Sequence, residues 1–126
     1  MPKLTIDELN QKLTGFTGTI NWYRHWTNLL SYTDGVKTLA ESVGAFWLID
    51  AIASWQIKPK VDQCDFQVWT LTVKDDQTAA LQMQEDTGLQ PVVTQQLVYT
   101  DFPVGVFKLW VEGSGQERVL LLPSEH

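Results

Sequence analysis

Apolar positions near the start of the chain recur at helical spacing. Ile6, Leu9 and Leu13 share one side, and Thr5 with Glu8 three residues later gives the reciprocal capping spacing that opens a helix. The pattern predicts a short helix over residues 6–13, ended by Gly15 and Gly18. "TINWYR" then has strand character, with Ile20, Trp22 and Arg24 on one face and Asn21 and Tyr23 on the other. From Val36 to about Trp55 the period is again helical. Thr33 or Asp34 can cap this stretch, and winding it at about 100° per residue gathers Val36, Leu39, Ala40, Val43, Phe46 and Trp47 into a stripe opposite Lys37, Thr38 and Glu41. Its second half, "FWLIDAIASW", is apolar nearly all round and needs cover on more than one side.

Beyond Pro59 the period changes to that of strands. "FQVWTLTV", "TAALQM", "TQQLVYT", "VFKLWV" and "RVLLL" have strand length, and the links between them are short turns such as "DDQ", "DFPVG" and "EGSGQE". Short links favour antiparallel neighbours, because a parallel crossover needs a dozen or more residues. The expected fold is a two-layer α+β single domain over residues 1–126. It has a mostly antiparallel sheet of about five or six strands, one long helix packed on it, and a short N-terminal helix. The triplet "YTD" occurs twice, at 32–34 and 99–101, once before a helix and once after a strand.

Asp50 is the least expected residue in this pattern, since the continuous wheel places it inside the apolar stripe. A carboxylate there needs a cation and hydrogen bonds, and Arg24 and His25 on the preceding strand are the natural partners. Two readings follow. Either Asp50 with Arg24 or His25 is a buried pair that docks helix to sheet, or the three residues line a pocket under Trp22, Tyr23 and Trp26. In such a pocket Arg24 would hold an anion, His25 would move a proton, and Asp50 would orient one of them. A shift of the wheel's phase would instead leave Asp50 exposed. Tyr32 and Asp34 join the same polar cluster, and the apolar end of the helix, Leu48, Ile49, Ile52 and Trp55, is a candidate homodimer contact.

Composition narrows the function further. Residues 1–60 carry a net charge of +1 and residues 61–126 a net charge of −7, with no Lys/Arg cluster to grip phosphates, so nucleic-acid binding is not expected. The acidic half could instead meet a basic partner or act as a decoy for a nucleic-acid-binding protein. No run of apolar residues is long enough for a membrane span, and the start of the chain lacks a basic stretch followed by an apolar one; the expectation is a cytoplasmic protein without a membrane anchor. The single cysteine, Cys64, has no partner for a disulfide or zinc site, and His25 is the only histidine besides His126, so no metal and no cofactor are expected. No G-x-S-x-G elbow or phosphate loop is present, and the paired carboxylates 75–76 and 85–86 read as turn residues. A protein-binding or self-associating module fits better than an enzyme.

The stretches "YRHWTNLLSYTDGVKTLAESVGAFWLIDAIASWQ", "FQVWTLTV", "VYTDFPVGVFKLWV" and "LLLPSE" resemble an uncharacterised domain family of bacteria, their phages and plasmids. The resemblance implies a bacterial cytosolic protein linked to mobile elements, and no activity or cofactor. Its recurring stretches include Tyr23, Arg24, His25, Tyr32, Asp34, Gly35, Asp50 and Asp101. After "AIAS", where the resemblance leads one to expect a second histidine, this chain has Trp55.

Overall fold

The computed structural model describes residues 4–85 and 90–126. Helix α1 spans Ile6–Leu13, and the capping box is formed from both sides, Glu8 N–H to Thr5 Oγ1 and Thr5 N–H to Glu8 Oε1. Two short strands follow, β1 (Trp22–Arg24) and β2 (Ser31–Thr33). The predicted long helix is two helices, α2 (Asp34–Val43) and α3 (Phe46–Trp55). Gly44 between them takes the left-handed conformation at φ +64°, open to glycine without strain, and closes α2 through its N–H to Ala40 O. A left-handed residue resets the helical phase. On α3 the buried positions are therefore Leu48, Ile49, Ile52 and Ala53, while Phe46 and Asp50 turn outward.

After the short α4 (Pro59–Asp62) come β3 (Phe66–Val73), β4 (Ala79–Gln84), β5 (Val93–Leu97), β6 (Gly105–Glu112) and β7 (Val119–Leu121). β3 has the bounds expected from its sequence. Among the described residues the sheet has seven strands in the order β1-β2-β7-β6-β3-β4-β5, more than the five or six expected. β2 is the addition, a three-residue strand too short to show a period. It pairs with β7 in parallel, so the sheet is mixed, and the crossover that parallel pairing requires is supplied by everything between residues 33 and 119.

One short link breaks the neighbour rule. Residues 98–104 do not return to an adjacent strand but pass β4 and β3 to reach β6 on the far side of β3. Three strand spacings of about 4.8 Å are well within reach of seven extended residues. The link crosses over the β3–β4 hairpin and is fastened there: Thr100 N–H donates to Gln77 O, and Gln77 Nε2 donates to Thr100 O and Phe102 O. Phe102, 1% exposed, closes that end of the core.

The core lies between the helices and one face of the sheet, where Trp69, Leu71 and Val73 of β3 meet Leu39, Leu48 and Ile52. A polar group sits inside it. Gln56 and Gln67, both almost wholly buried, exchange amide hydrogen bonds of 2.9 Å each way, and Trp69 Nε1 donates to Gln67 Oε1 at 2.8 Å. Every amide left unpaired there would cost about 1–3 kcal/mol, so the reciprocal pair is what makes the burial tolerable.

Leu48, Ile49 and Ile52 are spent in this core, and Trp55 packs against it with its indole N–H on Gln95. This is a correction to the expected homodimer contact, because side chains buried within their own chain offer no surface to a second copy. No helix among the described residues is long and apolar enough to cross a membrane.

Candidate functional site

The segment from Thr19 to Gly35 is held by three separate polar ties. The first centres on Asp34. Its carboxylate accepts from the backbone N–H groups of Ile20 and Asn21 and, at 2.8 Å, from Tyr23 OH. The Tyr23 hydroxyl, helped by those backbone donors, holds the Asp34 carboxyl down to about 2, and the same contact pushes the Tyr23 phenol up. Tyr23 stacks on Tyr32 across the β1–β2 pair, with centroids 5.6 Å apart, and Lys37 Nζ lies 4.5 Å from the Tyr23 ring centre. Thr33 caps α2 by accepting from Val36 N–H, and its own hydroxyl donates to Glu125 Oε1 at 2.6 Å. Glu125 also accepts from Gly35 N–H; a Cβ at residue 35 would lie 2.6 Å from its carboxylate.

The second tie is the one sought for Asp50. His25, 5% exposed, places Nε2 2.6 Å from Asp50 Oδ1, and Trp26 Nε1 donates to the same oxygen at 3.1 Å. An ionised Asp50 makes Nε2 the donor and leaves Nδ1 to accept from Thr27, whose N–H lies at 3.2 Å and whose Oγ1 lies at 2.7 Å. Asp50 itself is about half exposed. It is therefore neither a fully buried charge nor one pointing freely into water, but a surface carboxylate that reaches one oxygen back to a buried ring.

Arg24 forms the third tie. It donates to Asn28 Oδ1, Asn28 O and Ser31 Oγ, fastening the turn after β1. Consecutive strand residues point to opposite faces, so Arg24 and His25 diverge. The structure brings together His25, Trp26 and Asp50, and separately Tyr23, Tyr32 and Asp34; the three-membered cluster of Arg24, His25 and Asp50 does not form around one point. Trp22 does not roof the pair either, since it shares the face of Arg24 and is 59% exposed.

Several contributors escaped the sequence reading. Thr27 and Glu125 are ordinary polar residues at unremarkable positions, and Glu125 acts on residues 90 and more positions away. Arg118 is another: almost wholly buried, it donates to Asp62 Oδ1 at 2.6 Å and lines a cleft of about 390 Å³ with Asn28, Leu29, Gln56 and Ile57. Only its being the one arginine of an acidic half could have singled it out. Cys64 is buried and its thiol is pushed up by burial, the opposite of an activated nucleophile. Asp75 and Asp76 lie in the β3–β4 turn, where Asp76 accepts from Thr78; Asp86 of the second carboxylate pair lies outside the described residues. Among the described residues no three His, Cys, Asp or Glu side chains converge.

A family model of unknown function matches residues 7–126, nearly the whole chain. The chain belongs to that family, DUF6876. The expected membership of an uncharacterised domain family is thus met, and the family description carries no activity to transfer. A protein of unknown function from Enterococcus faecalis, known from its crystal structure, shares the fold at a TM-score of 0.55 and 17% identity, covering 81% of this chain and 93% of its own. No curated protein matches this member of DUF6876.

Proposed function

We propose that this DUF6876 chain is a cytoplasmic, non-catalytic binding module that recognises another protein through the aromatic segment 20–26. The observation that supports it most is the state of Trp26. Its side chain is 80% exposed, yet its indole N–H is fixed on Asp50 and its ring lies against His25. An exposed tryptophan already held in one orientation gives up little freedom on docking, and such side chains dominate protein interfaces. Ile20, 87% exposed, and Trp22 extend the apolar surface of the same segment. A net charge of −6 favours a protein partner over nucleic acid. Asp50 then has a purpose that neither of its first two readings named: it aims Trp26.

The test is capture from extract of the native cell with the wild type, Trp26→Ala and Asp50→Ala, followed by titration of whatever the wild type retains. Trp26→Ala is expected to keep its melting temperature and weaken binding roughly 30-fold, the equivalent of about 2 kcal/mol. Asp50→Ala is expected to weaken it less. Equal retention by the wild type and Trp26→Ala would dismiss this surface.

One observation favours a second reading as a small enzyme. Asp50, His25 and Thr27 stand in the order carboxylate, imidazole, hydroxyl, at 2.6 and 2.7 Å. Thr27 would then attack an activated carbonyl while His25 Nδ1 takes its proton, without the Arg24 anion clamp first expected. Exposure to an organophosphonate with no mass adduct on Thr27 would remove it.

A further inference from the structure

The sheet has two ends, and they are finished differently. β1 is a three-residue strand that carries Arg24, and its far end is tied to Asp34. At the other end β5 pairs with β4 alone, and among the described residues no strand lies along its outer side. The protections usual for such an edge are a lysine, a proline, an inward charge or extreme shortness. β5 has none of them within its five residues, Val93–Leu97. Residues 90–100 contain no charged side chain at all, in a half of the chain whose net charge is −7. Directly after the strand, Val98 is 93% exposed and Tyr99 63% exposed.

We infer that β5 is the surface by which two copies of this chain pair, edge to edge and antiparallel, into one continuous sheet. The charge pattern selects this occupant. In a two-fold contact each residue meets the same patch on its mate, so any net charge would face its like; an uncharged run is the requirement for pairing with itself, and residues 90–100 supply it where the surrounding sequence is acidic. The side chains suit the same symmetry. Thr94 and Gln96 are exposed, and an antiparallel contact centred on Gln95 sets the hydroxyl of one copy's Thr94 against the amide of the other's Gln96, both groups able to donate and accept. Backbone pairing supplies the hydrogen bonds, and Val98 and Tyr99 supply the apolar area that a short ladder lacks. The expected self-association therefore lies at β5 and not on α3. It is also independent of the Trp26 surface: the two occupy opposite ends of the strand order.

Sedimentation equilibrium of the whole chain across the micromolar range tests this, with Thr94→Lys/Gln96→Lys and Thr94→Glu/Gln96→Glu as the variants. Both positions are exposed, so circular dichroism should match the wild type, and the melting temperature should match it at concentrations low enough for the wild type to be monomeric. The expected result is a wild-type dimer, two monomeric variants, and recovery of a dimer when the lysine and glutamate variants are mixed. A monomeric wild type throughout the range would overturn the inference. So would a dimer that survives either variant, or growth past the dimer into open chains, which marks a contact that does not close on itself.

Discussion

The triplet Tyr-Thr-Asp appears twice and is used in two unrelated ways. At 32–34 each side chain works on another part of the molecule. Tyr32 stacks on Tyr23, Thr33 caps α2 and bonds Glu125, and Asp34 gathers residues 20–23. At 99–101 the tyrosine hydroxyl bonds its own triplet's aspartate at 2.6 Å, and Thr100 Oγ1 accepts from Phe102 N–H two residues on. Identical side chains thus reach distant partners in one place, while Tyr99 and Thr100 turn theirs to neighbours two residues on in the other. The difference comes from what the backbone does next. A helix start leaves N–H groups that need acceptors and brings distant side chains to them, whereas the crossing link is fastened to Gln77 through its backbone, which leaves the Tyr99 and Thr100 side chains to bond within two residues.

If the first triplet serves folding and the second does not, substitutions should separate them, and the largest separation is expected at Gly35. Gly35→Ala would place a methyl 2.6 Å from both the Glu125 carboxylate and Leu122 Cδ1, so both side chains must move and the Glu125 bonds to Thr33 and Gly35 are disturbed. Overpacking of that kind costs about 1–3 kcal/mol, a melting temperature lower by several degrees. Thr33→Ala should come next: loss of a helix cap is worth about 1 kcal/mol, and the buried Thr33 hydroxyl bond to Glu125 goes with it. Thermal unfolding of both variants checks the order.

A third effect is confined to acid. The Asp34 carboxyl is held down to about 2 in the folded chain against 3.8 ordinarily, so its tie is fully present above pH 3.8 and is lost as pH falls through about 2. Denaturant titrations between these limits should show the wild type losing stability that Asp34→Asn never had, so the two curves converge toward pH 2. The smallest effect is expected at the second triplet. Tyr99→Ala should leave the melting temperature of the monomer nearly unchanged, because the ring is mostly in water, and should show instead as weaker self-association in the sedimentation experiment. A Tyr99 variant that melts as early as Gly35→Ala would erase the contrast.

The legible parts of this fold were those whose signal is local. The Thr5–Glu8 box and the alternation of residues 66–73 carry their own geometry, and the structure has both as expected. The helix break was also written locally, in Gly44, but a wheel wound straight through it put Asp50 in the wrong place. That Asp50 would find His25 was legible from chemistry alone. That Arg24 would not join them depended on strand alternation, which the same sequence contains and which counts against the cluster. The contacts of Glu125 with Thr33 and Gly35 had no local signal at all, since they exist only after β2 and β7 have paired in parallel.

The amide pair in the core has a consequence for how the chain avoids wrong structures. β3 is an inner strand, paired with β6 on one side and β4 on the other, and apolar side chains oppose a shift of its register only by the burial they would lose. Gln67 raises the cost. A slip of one residue would turn it, together with Trp69, to the opposite face and leave the Gln56 amide sealed in hydrocarbon with nothing to bond. The pair works as a proofreading step for strand alignment: it adds little to the correct sheet and makes the nearest incorrect one expensive.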